Sequence, residues 1–115
     1  MRYLLAIYAA EDAWAALPAA QREAAYAEYA GWVAEASGRG MMLDGAELEP
    51  TSAATSVRVR DGRTLIVDGP FAETKEQLGG YFLLECETLD DAIEAAGRIP
   101  AARTGTVEVR PLVER

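Results

Sequence analysis

Three features of the 115-residue sequence predict an α+β sandwich. Two apolar runs rich in β-formers, "RYLLAIY" (2–8) and "GYFLLECE" (80–87), are apolar in both phases of the alternation, as expected of strands covered on both sides. Each run is followed by a segment with helical spacing. Two helices are too few to cover both faces of such a sheet, so one face should be open or should pack on another subunit.

Taken in order, "RYLLAIY" is a central strand, and "AAEDAWAALP" (9–18) is irregular or briefly helical, with Trp14 and Leu17 packing. Pro18 suits a first helical turn, where its missing N–H has no partner to lose. From Ala19 to Ser37 the residues Ala25, Tyr29, Trp32 and Ala36 recur at steps of four, three and four, the spacing of an amphipathic helix. Gly38 is the expected left-handed stop. "MMLDGAEL" (41–48) reads as a second strand and "EPTSAAT" (49–55) as a loop. In "SVRVR" (56–60) Val57 and Val59 alternate with Arg58 and Arg60, which predicts one buried and one exposed face. Asp61 and Gly62 fit a two-residue hairpin turn that returns the chain as "RTLIVD" (63–68).

Beyond "GYFLLECE", Thr88 with Asp91 three places on predicts an N-cap with an acidic first turn. Leu89, Ile93 and Ala96 are expected on the buried face of this second helix, which Gly97 and Pro100 end. "GTVEVRPL" (105–112) closes as a strand with Val107 and Val109 inward and Glu108 and Arg110 outward. The result is a ferredoxin-like βαβ…βαβ sandwich with an extra central β-hairpin, one domain over 1–115, expected to dimerise through its sheet face.

Composition narrows the function. A folded domain of this length buries about 65% of its unfolded chain's surface, enough for one core. Nineteen acidic against eleven basic residues give a net charge of −8, which disfavours direct nucleic-acid binding. There is no histidine, which removes imidazole bases and imidazole metal ligands. The lone Cys86, in an apolar run, reads as a packed, reduced thiol. The N-terminal apolar run is too short to span a membrane and has no cleavage pattern after it, so a cytoplasmic location is expected.

Chemistry concentrates in "DGPFAETKEQLGG" (68–80). An Asx-turn at Asp68 would use the N–H of Pro70, which does not exist, so this carboxylate must bond elsewhere; it is the candidate general acid or base, with a loop that is purely structural at the dimer interface as the alternative. Gly69 and Pro70 form a stiff bend. Phe71 is expected to plug the core beneath the loop, with ligand stacking as the alternative. Thr74 and Gln77 have capping-box spacing, which predicts a helical turn, with Glu73, Lys75 and Glu76 as a charged rim. Lys75, the chain's single lysine, suits an anionic ligand or a pairing with Asp68 or Glu73. Gly79 and Gly80 read as a bend or bulge. Arg110 is a candidate clamp for a ligand carboxylate, against the plainer reading of Glu108 and Arg110 in ion pairs at a dimer seam. Tyr3 and Tyr8 are candidates to present phenols to a cleft.

The stretch "VRVRDGRTLIVDGPFAETKEQLGGYFLLECETLDDAIEAAGRIPA", with the closing "GTVEVRPL" and the start "RYLLAIYA", resembles the DGPF group of YCII-related bacterial proteins. The resemblance implies a dimeric α+β barrel. It also implies a chain encoded beside an extracytoplasmic-function sigma factor, and hence a sigma factor or a neighbouring enzyme as partner; some such proteins are labelled as transcription initiation proteins. Related YCII proteins place a His and Asp pair in a cleft, and some fused relatives act in breakdown of chlorinated aromatics. This chain lacks the histidine and departs from that pair, leaving Asp68 as the counterpart of the acid. The ligand expected from these readings is a small organic molecule, held without metal or cofactor by Tyr8, Gly69, Pro70, Phe71, Glu73, Lys75 and Arg110, with Asp68 at its centre.

Overall fold

A computed structural model describes all 115 residues. The strands are β1 (Arg2–Ala9), β2 (Met42–Glu47), β3 (Thr55–Arg60), β4 (Arg63–Asp68), β5 (Gln77–Glu85) and β6 (Thr106–Pro111). The helices are α1 (Glu11–Ala15), α2 (Ala19–Gly38) and α3 (Leu89–Gly97), with 3-10 turns at Thr51–Ala53 and Pro100–Arg103. Four strands make an antiparallel sheet in the order β2-β5-β1-β6, so the two βαβ crossovers interleave as in a ferredoxin-like fold. The other two, β3 and β4, pair only with each other.

Alternation along β1 divides the sheet. Tyr3, Leu5 and Ile7 join Trp32 and Ala36 of α2, Ala92, Ala95 and Ala96 of α3, and Leu84 and Ile99 in the core, where Leu5, Leu84 and Ile99 are fully buried. Trp32 buries its ring against Phe82 and donates its indole N–H to the Ala95 carbonyl at 2.9 Å, which ties the two helices together without leaving a buried donor unpaired. The residues between, Leu4, Ala6 and Tyr8, pair with Leu83, Tyr81 and Leu78 on one side, and with Arg110, Glu108 and Thr106 on the other, so these share the helix-free face. Between Ile7 and Tyr8 the register with β5 shifts: Ile7 faces Gly80 and Tyr8 faces Leu78, with Gly79 unpaired between them. This is the bulge expected of the paired glycines. A Cβ on Gly80 would lie 2.8 Å from the Ala46 carbonyl oxygen, so the close approach of β2 requires glycine there.

Local signals account for most boundaries. Thr88 caps α3 by accepting from the Asp91 N–H at 3.1 Å, with Asp90 and Asp91 in the first turn. Asp61 and Gly62 adopt φ of 52° and 73°, the left-handed pair of a type I′ hairpin turn. No helix is long and apolar enough to cross a membrane.

Several expectations are corrected. The left-handed residue after α2 is Gly40 (φ 72°), not Gly38, which stays helical while Arg39 caps. On α3 Ala96 is buried as expected, but its buried companions are Ala92 and Ala95, whereas Leu89 and Ile93 are exposed; the small side chains let α3 lie close on β6. Thr74 to Gln77 form no helical turn: the Thr74 hydroxyl donates to the Glu76 carbonyl at 2.6 Å, the Gln77 amide donates to the Thr74 carbonyl, and Gln77 opens β5. Tyr3 lies in the core rather than in a cleft.

The largest correction concerns the hairpin. Val57 and Val59 do not face a core; each is 60% exposed, as is Ile66 at 67%. The hairpin stands away from the body, its two ends held to each other by the Gly69 N–H to the Ala54 carbonyl (2.6 Å) and the Ser56 hydroxyl to the Gly69 carbonyl (2.8 Å). The radius of gyration, 16.1 Å, exceeds the roughly 13 Å expected of a compact chain this long. With no core beneath it, Phe71 is 79% exposed instead of buried.

Candidate functional site

The helix-free face of the sheet holds a depression of about 240 Å³ lined by Leu4, Ala6, Tyr8, Leu78, Tyr81, Glu108 and Arg110. Its position follows from the strands. Leu4, Ala6 and Tyr8 are successive outward residues of central β1; the bulge at Gly79 turns Leu78 to the same side, and Tyr81 lies across from Ala6. Glu108 and Arg110 are successive outward residues of β6. The floor and walls are mostly apolar, and the polar groups sit along one margin. Such an arrangement takes a small, partly apolar ligand and orients it by a few polar contacts.

Arg110 is bound to Glu108 at 2.7 Å on the same strand, not across strands. The hydrogen bond to Glu108, with its negative charge, holds the guanidinium still further above its ordinary range, so Arg110 is a permanent cation at the margin. Because Glu108 occupies only part of the guanidinium's donor fork, an incoming carboxylate can use the remaining N–H groups.

Of the residues picked out from the sequence, Tyr8 and Arg110 line the depression, and none of Asp68, Gly69, Pro70, Phe71, Glu73 or Lys75 does so within one chain. Asp68 ends β4 opposite Thr55, exposed, with its side chain making no hydrogen bond. Gly69 takes φ of 96°, which L side chains rarely adopt, so the bend after the hairpin needs glycine. Pro70, Phe71, Glu73 and Lys75 are exposed, and Glu76 accepts from the Thr106 hydroxyl at 3.0 Å, fixing the end of the loop to the start of β6. Leu4, Leu78 and Tyr81 were missed from sequence because an outward apolar residue in a two-sided strand looks the same whether a helix or a ligand covers it.

Cys86 is buried, and burial pushes its thiol up, with repulsion from Asp91 and Glu85 adding to the shift. A protonated, enclosed thiol is a packing group and a poor nucleophile.

Similarity to known proteins agrees with this architecture. The chain is 51% identical over 69 residues to an uncharacterised protein of Rhizobium meliloti, an alignment covering 58% of this chain and 56% of that one. The chain thus spans little more than half of that relative's length. The profile of the YCII-related domain matches residues 1–115. With a ferredoxin-like sheet, a helix-free face and a match that runs end to end, the chain belongs to the YCII-related domain family.

Proposed function

We propose that this chain is a single-domain cytoplasmic protein that dimerises through its helix-free sheet face and binds a small organic anion in the depression at that seam. The observation that carries this reading is the depression itself: apolar walls from Leu4, Leu78 and Tyr81, with Arg110 and the Tyr8 side chain at its margin. Its volume suits a molecule of the size of a benzoate. Arg110 supplies the charge that recognises a carboxylate, and the aromatic rings supply the apolar contact. Asp68, with Gly69, Pro70, Phe71, Glu73 and Lys75, forms the polar loop that completes the site, and Asp68 is the group for any acid–base step. A carboxylate whose oxygens have no partner in its own chain is free to accept a hydrogen bond from a ligand.

Dimerisation is supported by the same face. Leu4, Tyr8, Leu78, Tyr81 and Leu83 lie on the side of the sheet that no helix covers, and apolar surface of that kind marks an interaction site. The exposed Glu73 and Lys75 favour a second reading, a module that docks on a sigma factor or a neighbouring enzyme through this rim.

Benzoate and hydroxylated benzoates at millimolar concentration test the first reading. A ligand present at about ten times its Kd stabilises by about 1.4 kcal/mol, and in a domain of this size that raises Tm by several degrees. The rise should vanish in Arg110→Gln and shrink in Tyr8→Phe. No shift with any of the acids, or an equal shift in Arg110→Gln, contradicts the assignment.

A further inference from the structure

We infer that the β3–β4 hairpin is an exchanged arm: it lies over the helix-free face of a second copy of this chain, and its loop at Asp68–Phe71 closes the second copy's depression. This rests on the reading that the helix-free face is where two copies meet, and adds that each site is built from both.

The arm needs a cover. A two-stranded hairpin is marginal in water by itself, yet this one exposes six large apolar side chains, Val57, Val59, Leu65, Ile66, Val67 and Phe71. The pairing register sorts them. Val57 with Ile66, and Val59 with Thr64, lie on one face, which is β-branched and carries no charge; Ser56 with Val67, Arg58 with Leu65, and Arg60 with Arg63 lie on the other, where the two apolar side chains stand among three arginines. One face is fit to be buried against a sheet, and the opposite face carries three arginines.

Charge says what the cover is. The hairpin holds Arg58, Arg60 and Arg63 against Asp61 and Asp68, whereas the rest of the chain has eight basic and seventeen acidic residues. A basic arm on a strongly acidic body repels another arm and is drawn to another body. The body offers one large uncovered apolar surface, the face with the depression, so a second copy satisfies both the arm's apolar side and its charge. A two-fold arrangement does this twice, since each chain has one arm and one open face. It also unites the two groups of candidate residues that one chain leaves separate: Tyr8 and Arg110 in the depression, Asp68 and Phe71 on the loop.

Cross-linking between differently marked chains tests the exchange. In a Cys86→Ala background, one chain carries Phe71→Cys and another Leu78→Cys; the two are mixed, allowed to exchange subunits and oxidised. A covalent dimer of the two different chains should be the main covalent product of the mixture, with only traces of covalent dimer in either variant alone. A dimeric mass by light scattering with no mixed product overturns the exchanged arm and leaves face-to-face dimerisation standing. A monomeric mass at micromolar concentration overturns both. A chain carrying both cysteines that cross-links only within itself also overturns the exchange. As a second variant, Arg58→Glu, Arg60→Glu and Arg63→Glu together should weaken the dimer by about tenfold or more without unfolding the body; an unchanged dimer contradicts the charge argument.

Discussion

β1 and the hairpin are built from the same kinds of residue and meet opposite fates. Leu5 of β1 is fully buried, while Ile66 of β4, in the centre of the apolar run Leu65–Val67, is two-thirds exposed. β1 lies between β5 and β6, and its inward side chains meet α2 and α3, so the cover comes from the same chain. No helix directly follows β3 or β4, and no element of the body packs closely on them. An apolar strand pattern therefore records that a strand is to be covered, and leaves open by which molecule.

Substitutions in the two regions should separate accordingly. Leu84→Ala removes a fully buried side chain from β5 and should cost about 3 kcal/mol of unfolding free energy in denaturant titration. Ile66→Ala, followed at dilutions where the protein is monomeric, should cost less than about 0.5 kcal/mol. Equal losses would mean that the hairpin packs on its own body. An effect between these two belongs to the body alone: Thr88→Ala removes the cap that accepts from the Asp91 N–H and should cost about 1 kcal/mol. Because this end of α3 is remote from the arm in sequence and pairing, the change should leave association untouched.

Much of the body could be read from sequence because its signals are local. The type I′ turn at Asp61–Gly62, the Thr88 cap and the two-sided β1 and β5 each follow from a few adjacent residues. On α3 Ala96 was legible, whereas Leu89 and Ile93 stood in for Ala92 and Ala95, because alanines are weak in a hydrophobicity pattern, although a helix lying close on a sheet selects small residues. Phe71 was misplaced for another reason. An aromatic residue after a tight bend suggests a plug, but the plug needs a core below it, and the arm has none in its own chain. Of the site, Tyr8 and Arg110 were found by residue type, while Leu4, Leu78 and Tyr81 emerged only once the bulge at Gly79 and the strand order placed them together.

Hydrogen exchange of the hairpin amides tests most directly the claim that a second copy covers the arm. At micromolar protein concentration Arg58, Leu65 and Val67, whose N–H groups lie in the bonded pairs of the β3–β4 ladder, should exchange as slowly as amides of the four-stranded sheet, and Tyr81→Asp, which places a charge on the open face, should make them fast while β1 stays protected. Fast exchange of the hairpin in the unaltered protein, or protection unaffected by Tyr81→Asp, would contradict the account.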